Sequence, residues 1–169
     1  IKKVSTNSIT KDKNIIGFVG APWTLLVYII NQQSPKKKLK DNFNEENLQN
    51  AMDWWNALNP RAHGFDFDHL DTWPDVWEYI TEGFYTVSGN GLGMFYTVLH
   101  ADETKDVEIW AIHDLLNTDM YLIAVVDGYV LNRTSGKVEK LEDVKSDLNI
   151  LAKHTKDEVI TELKYSRGE

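Results

Sequence analysis

The stretch VEIWAIHDLLNTDMYLIAVVDGYVLN, residues 107–132, decides the fold because it holds the clearest β-strand signal in the chain. Residues 107–112 and 121–126 are apolar runs rich in β-branched side chains, which is typical of buried strands. Asp127-Gly128 favours a tight hairpin turn, and it leads into a further strand at residues 129–132. We therefore expect a small antiparallel sheet.

Helical patterns lie before this stretch. Residues 44–58 can form a helix that Asn44 caps, and its apolar face comprises Leu48, Ala51, Met52, Trp55 and Leu58. A second helix is expected to begin at Thr72, with Pro74 in its first turn and Asp75 completing a capping box. Val76, Trp77 and Ile80 would form its buried side, and Gly83 would end it.

Shorter elements complete the pattern. Residues 84–87 could form a short strand, and the SGNGLG segment leads into a helix through Met94, Phe95, Val98 and Leu99. Ser135-Gly136 offers a turn, and the chain from Leu141 onward is expected to be helical, with a capping box at Thr155 and Glu158. The order helices, sheet, helices predicts an α+β domain in which a small antiparallel sheet is flanked by helices.

Composition and charge suggest two parts. The chain has 169 residues, 42% of them hydrophobic, and no cysteine, so it can build a core but has neither disulfides nor thiolate metal ligands. Residues 1–44 carry eight lysines against two acids, whereas residues 45–169 carry 10 basic and 24 acidic side chains. We expect a fragment at residues 1–40, an acidic α+β domain at residues 45–169, a cytoplasmic location, and no binding to nucleic acid.

The segment between the two parts, NQQSPKKKLKDN at residues 31–42, is polar, and its pattern predicts a solvated linker or a junction. The preceding residues 15–30 form a run without charge. The run is shorter than the roughly 20 residues of a membrane helix, and it contains Gly17, Gly20 and Pro22. We predict a strand, a tight turn and a helix there, and no membrane span.

Residues 16–30, IGFVGAPWTLLVYII, resemble the signature of the uroporphyrinogen decarboxylase family. The family pattern Gly-Phe-x-Gly-x-Pro-aromatic-Thr-Leu-x-x-Tyr is matched in order by Gly17, Phe18, Gly20, Pro22, Trp23, Thr24, Leu25 and Tyr28. The resemblance implies a piece of a (β/α)8 barrel, whose catalytic residues lie at the C-terminal ends of its strands. It also implies decarboxylation of the acetate side chains of uroporphyrinogen III, a tetrapyrrole, without a cofactor. Tyr28 would be catalytic and substrate-binding, and Phe18 would line the substrate pocket.

This resemblance covers only about residues 1–40. The family's arginine loop, its early aspartate and its late histidine have no counterpart motif in the sequence. One strand and one helix cannot close a barrel of about 250 residues, so the chain is expected to be too incomplete for activity. The alternative is that residues 45–169 form a non-enzymatic interaction or binding domain.

The order of elements in residues 72–132 resembles transglutaminase-like folds. TWPDVWEYI is followed by a glycine-containing helix and by strands that end in VVDGYVLN. The family has a cysteine, a histidine and an aspartate. This chain has no cysteine; Tyr121 or its neighbours occupy the histidine region, and Asn132 stands in place of the aspartate. The resemblance therefore implies a binding or structural module without thiol chemistry.

Three other groups of residues could carry chemistry. His63, Asp66, Asp68, His69 and Asp71 could hold a metal, but a surface loop with Phe65 and Phe67 pointing inward is favoured, and no metal is expected. Gly89, Gly91 and Gly93 could cradle an anion or allow close helix packing. Ser88, His100, His113 and Asp127 could form a hydrolase triad, but Ser88 lacks the Gly-x-Ser-x-Gly motif.

Overall fold

The residues that the structure describes form an α+β architecture built on an antiparallel sheet, as the sequence predicts. A computed structural model describes residues 35–58, 65–75, 78–79 and 86–163. The helices there are α1 Pro35–Asp41, α2 Glu45–Asn56, α3 Asn90–Ala101, α4 Leu141–Val144 and α5 Lys156–Leu163. The strands there are β1 Glu108–Asp114, β2 Met120–Val126, β3 Tyr129–Leu131, β4 Glu139–Lys140 and β5 Leu148–Thr155. They form a five-stranded sheet in the order β4-β3-β2-β1-β5.

The predicted hairpin is confirmed. Strands β1 and β2 pair antiparallel with Ile109 opposite Ala124, and β2 continues into β3 through Asp127-Gly128. These two turn residues have φ values of 52° and 79°. Positive φ at both central positions defines the type I′ turn, whose twist matches that of the flanking strands.

Both faces of the sheet are covered. Because side chains alternate along a strand, Ile109 and Leu122 pack under the helices, whereas Ile112 and Ile123 belong to a second apolar cluster on the opposite face. The second cluster includes Leu141 and Val144 of α4. Coverage on both sides explains why β1 and β2 are nearly continuous apolar runs rather than alternating ones.

Helix α2 begins where the sequence predicts. The Asn44 side chain accepts a hydrogen bond from the Asn47 backbone N–H at 2.8 Å, which satisfies one of the free donors of the first turn. The predicted face of this helix is buried: Leu48, Ala51, Met52 and Trp55. Helix α3 is also confirmed, with Met94, Phe95, Val98 and Leu99 buried.

The predicted helix start at Thr72 is wrong. Thr72 lies in a 3-10 turn, Leu70–Thr72, and the capping box forms instead between Asp75 and Glu78, with side-chain to backbone distances of 3.0 and 2.9 Å. Trp73 is extended, with ψ 145°, because a residue before proline is driven out of the helical region. Val76, Trp77, Ile80 and Gly83 lie outside the described residues.

The prediction of a helix from Leu141 onward is also wrong. Only four residues of α4 are helical before a 3-10 turn, and β5 then pairs with β1. A register shift occurs between Ala111 and Ile112, where the partner residue Leu151 is skipped and remains 48% exposed. The free edge of β1 thus fixes the strand conformation of β5. Helix α5 begins at the predicted capping box of Thr155 and Glu158.

The predicted linker at residues 31–42 is corrected where the structure describes it. Residues 35–41 form α1, and its Leu39 is 1% exposed within the main core cluster. Pro35 and Leu39 are buried, and Lys37, Lys38 and Lys40 are exposed. This i, i+4 spacing gives α1 one apolar stripe, and burial of a leucine contributes roughly 1.5–3 kcal/mol. The division of the chain into residues 1–40 and 45–169 stays a prediction.

Other predictions concern the N-terminal part and the loop before α3. The predicted strand, turn and helix of (β/α)8 type at residues 15–31 lie outside the described residues. Thr86 and Val87 lie in a turn rather than in the predicted short strand, and residues 84–85 are not described. Within the ranges that the structure describes, every helix is too short or too polar to cross a membrane.

Candidate functional site

A cavity of about 230 Å³ lies at the end of the sheet where β3 stops. It lies between the C-terminal end of α2, the turn before α3, the start of β2 and the residues that follow β3. Its lining residues are Asn56, Leu58, Val87, Ser88, Asn90, Asp119, Tyr121, Asn132, Arg133, Thr134 and Gly136. The polar side chains come from four separate segments, so the folded sheet is what assembles them.

The cavity exists because the chain leaves the sheet after Leu131. Asn132 has φ 78°, and its side-chain amide donates to the carbonyls of Leu122 at 2.8 Å and Val87 at 3.2 Å. The Leu122 N–H donates to the Ser88 carbonyl at 2.9 Å. The turn before α3 therefore provides a hydrogen-bond partner for a β2 backbone group that lies beyond the end of β3.

Helix α3 packs closely on strand β2 next to the cavity. A Cβ atom on Gly91 would lie 2.3 Å from the Leu122 carbonyl oxygen, and one on Gly93 would lie 2.9 Å from the Trp55 ring. Only glycine permits such an approach of helix to strand. Of the two roles weighed for Gly89, Gly91 and Gly93, this geometry favours close packing for Gly91 and Gly93.

A buried polar cluster lies beside the cavity. Asp114, at the end of β1, is fully buried. Its Oδ2 accepts a hydrogen bond from the Tyr121 hydroxyl at 2.5 Å, and its Oδ1 accepts one from the Leu116 backbone N–H at 3.0 Å. Both carboxylate oxygens thus have partners, which is what a buried charge requires.

Tyr121 keeps its proton at neutral pH. Burial of the hydroxyl, together with its hydrogen bond to Asp114, raises the pKa of Tyr121 to about 12. Desolvation and a nearby negative charge both disfavour the phenolate. The hydroxyl therefore acts as a hydrogen-bond donor to Asp114 rather than as an acid or base.

Arg133 is the least satisfied member of the cluster. Its side chain is 4% exposed; Nη2 lies 3.5 Å from Asp114 Oδ2, and Nε lies 3.7 Å from Glu139 Oε1. Both distances exceed the range of a charge-assisted hydrogen bond, about 2.7–2.9 Å. Within the described part of the chain, Arg133 Nε, Arg133 Nη1 and Glu139 Oε1 are buried without a hydrogen-bond partner. The guanidinium is paired by charge, but its hydrogen bonds are incomplete.

Exposed apolar side chains lie in the cavity lining and in the loop between β1 and β2. We call Val87, Leu115, Leu116 and Met120 the apolar rim; their exposed fractions are 66%, 54%, 70% and 58%. Val87 lines the cavity, and the other three belong to the β1–β2 loop and its junction with β2. That loop is tied to the cavity because the Asn117 side chain donates to Thr134 Oγ1 at 3.1 Å.

The sequence predicts Phe18 and Tyr28 as site residues. Phe18 and Tyr28 lie outside the described residues, as does His63. Asp66 and His69 form an exposed pair at 2.7 Å, and the pKa of His69 is raised by its hydrogen bond to Asp66. Among the residues that the structure describes, no group of three or more histidine and acidic side chains could hold a metal ion.

The residues of the possible hydrolase triad do not share this cavity. Ser88 lines the cavity, whereas His100, His113 and Asp127 do not. Asp114, Arg133 and Glu139 were not identified from the sequence. The signal that could have found Asp114 and Arg133 is a charged residue at or just beyond the end of an apolar strand. Asp114 is the last residue of β1, and Arg133 follows shortly after the end of β3.

Comparison with known proteins adds no relative: no family model, curated protein or solved structure matches the chain. The resemblances to uroporphyrinogen decarboxylase and to transglutaminase-like folds therefore stay predictions. The case for function rests on the geometry of the cavity and its rim.

Proposed function

We propose that the acidic α+β domain is a non-enzymatic protein-binding domain, and that its partner binds the face formed by the cavity and the apolar rim. The observation that carries this proposal is the exposure of four apolar side chains: Val87 in the cavity lining, and Leu115, Leu116 and Met120 in the β1–β2 loop and at the start of β2. Exposed apolar surface bordered by polar groups is typical of protein-interaction sites. Burying the rim against a partner would remove apolar surface from water.

The charge of the domain indicates the chemistry of the partner. Residues 45–169 carry 24 acidic and 10 basic side chains, and Asp119 on the cavity lining is exposed. Long-range attraction therefore favours a partner with a basic surface and speeds its encounter. The same charge disfavours nucleic acid, because phosphate contacts need clustered cations.

Binding fits the cavity better than catalysis does. The Tyr121 hydroxyl is engaged with Asp114 and remains protonated. Ser88 is the serine of the lining, and the described lining includes no histidine that could activate it. General-base activation of a serine needs such a neighbour within hydrogen-bond reach.

Selection of peptides on the full chain tests this proposal. A random display library selected on the immobilised chain is expected to yield peptides that combine lysine or arginine with apolar residues. Leu116→Ser should weaken their binding by about tenfold, or about 1.4 kcal/mol, because a large apolar contact is lost. Leu151→Ser is the matched control: Leu151 is a similarly exposed leucine on β5, outside the cavity lining.

The control should bind the selected peptides as the unmodified chain does. Equal binding by all three proteins, or enrichment of acidic peptides, would contradict the proposed face. Both variants change exposed leucines, so circular dichroism spectra should show that each keeps the fold.

Uroporphyrinogen decarboxylation stays a second prediction, supported by the signature at residues 16–30. If this segment acts with a barrel, the purified chain should convert uroporphyrinogen to coproporphyrinogen, and Tyr28→Phe should slow that conversion because it removes the implied hydroxyl. Absence of coproporphyrinogen after incubation with folded protein would exclude the activity for this chain. A cytoplasmic location likewise stays a prediction.

A further inference from the structure

The polar side chains of the cavity differ in whether they already have partners within the protein. The Thr134 hydroxyl accepts a hydrogen bond from the Asn117 side chain. Within the described part of the chain, the side chains of Asp119, Asn56 and Ser88 make no hydrogen bond or ion pair, and all three residues belong to the lining. Each of these three side chains offers an oxygen acceptor to a ligand.

The charges around the cavity favour a cation over an anion. Arg133 is the positively charged residue of the described lining, but its Nη2 lies 3.5 Å from Asp114 Oδ2 and its Nε lies 3.7 Å from Glu139 Oε1. The two carboxylates more than offset the guanidinium, so this cluster carries one formal negative charge. Asp119, which is exposed, adds a second at the lining itself. An incoming ammonium or guanidinium group is therefore attracted, whereas a carboxylate or phosphate is repelled.

The lining also provides apolar surface beside these acceptors. Leu58 is half-buried, and Val87 is 66% exposed. Lysine and arginine side chains lay their methylene stems along apolar surface while the charged head group meets polar partners. Two apolar side chains next to a carboxylate, an amide and a hydroxyl match both parts of such a side chain.

A metal ion is the alternative cation, and the lining suits it less. Calcium takes about six to eight oxygen ligands, whereas Asp119 is the one carboxylate of the described lining. The scarcity of acidic ligands therefore favours an organic cation, which needs fewer contacts to its head group and gains from apolar contact along its stem.

We propose that the cavity binds the charged head group of one lysine or arginine side chain of the partner protein, with Asp119 as its acceptor and with Leu58 and Val87 against its stem. This inference rests on the proposed function, since it names the side chain of the basic partner that enters the cavity. The apolar rim and the cavity make separate contacts with that partner, so each is tested with its own probe.

Nuclear magnetic resonance of the 15N-labelled full chain tests the cavity with three probes that share a butyl stem. n-Butylammonium is the cation, n-butanol is its neutral counterpart, and pentanoate is the anion. Each is titrated separately at equal ionic strength, and the backbone amides of Ser88, Asp119 and Thr134 are followed. Butylammonium is expected to shift them saturably, with a dissociation constant on the order of 10 mM, which suits so small a ligand. Butanol and pentanoate are expected to bind at least about tenfold more weakly.

Asp119→Asn removes the charge and keeps the size of the side chain. The butylammonium affinity is expected to fall by about threefold to tenfold, because a short-range attraction is lost, while the butanol affinity changes by less than about twofold. The backbone N–H and carbonyl of Asp119 bond to Asn117 and Asp114 without involving the carboxylate, so the variant should keep the fold. The matched control, Asp106→Asn, removes an exposed acid outside the cavity lining and should change neither affinity.

Three results would overturn the proposal. They are binding of butanol or pentanoate as tight as that of butylammonium, absence of saturable shifts with butylammonium, and an unchanged butylammonium affinity in Asp119→Asn. Calcium chloride is titrated alone as well, and saturation of the same amides at a lower concentration than butylammonium requires would identify a metal site and overturn the proposal too.

The peptide selection keeps this inference distinct from the proposed function. Loss of peptide binding in Leu116→Ser without any loss in Asp119→Asn would support the binding face and reject the cation in the cavity. Unchanged peptide binding in Leu116→Ser would reject the apolar rim, and the butylammonium titration would still decide the cavity.

Discussion

Asp114→Ala is expected to lower the free energy of unfolding by about 2–5 kcal/mol, because two donors lose their acceptor at about 1–3 kcal/mol each. The substitution leaves the Tyr121 hydroxyl and the Leu116 N–H without their acceptor. It also takes away the nearer of the two carboxylates that face the buried Arg133 guanidinium. Urea denaturation followed by tryptophan fluorescence measures this loss.

Two further variants separate the causes. Asp114→Asn keeps an oxygen acceptor and loses only the charge, so its loss of stability should be smaller than that of Asp114→Ala. Asp106→Ala, at an exposed loop position, should change the free energy of unfolding by less than about 0.5 kcal/mol. A loss below about 1 kcal/mol for Asp114→Ala would show that the buried cluster does not stabilise the sheet end.

Gly91→Ala is expected to destabilise the domain by about 2 kcal/mol or more, although alanine is normally the better helix residue by about 1 kcal/mol. The added Cβ would lie 2.3 Å from the backbone oxygen of Leu122 in a central strand. Neither the strand nor α3 can yield without losing buried contacts. Thermal or urea unfolding of the variant measures the effect.

Gly128→Ala is the comparison for this second variant. Gly128 has φ 79° with open space where a Cβ would stand, so its substitution costs only the left-handed backbone conformation, about 1–2 kcal/mol. A stabilised Gly91→Ala protein would contradict the close approach of α3 to β2.

Local sequence signals predicted much of this fold. The Asp127-Gly128 turn, the Asn44 cap and the Thr155–Glu158 capping box each depend on residues within a few positions of one another. Such signals act through backbone conformation and short-range hydrogen bonds, so the sequence reveals them directly. The α+β class followed from their order.

The sequence did not predict the elements whose conformation depends on residues far away in the chain. The residues of β5 are compatible with a helix, and their strand conformation comes from pairing with the free edge of β1. Helix α1 looked like a charged linker because only Pro35 and Leu39 are buried among its lysines. In both cases tertiary packing overrides a weak local preference.

The candidate site was missed for a related reason. Asp114, Arg133 and Glu139 are charged residues at separate positions, and charged residues lie on the surface by default. Only the order β4-β3-β2-β1 brings β1's end, β3's end and β4 to one place. The predicted site residues Phe18 and Tyr28 came instead from a family resemblance in a segment outside the described ranges.

Chemical-shift mapping of the full chain with one selected basic peptide tests the central claim most directly. The account predicts that the largest backbone shifts cluster in residues 86–90, 115–121 and 132–136, which hold the apolar rim and most of the cavity lining. Shifts concentrated in β5, at the opposite edge of the sheet from β4, and in the helix α5 that follows it would contradict the proposed binding face.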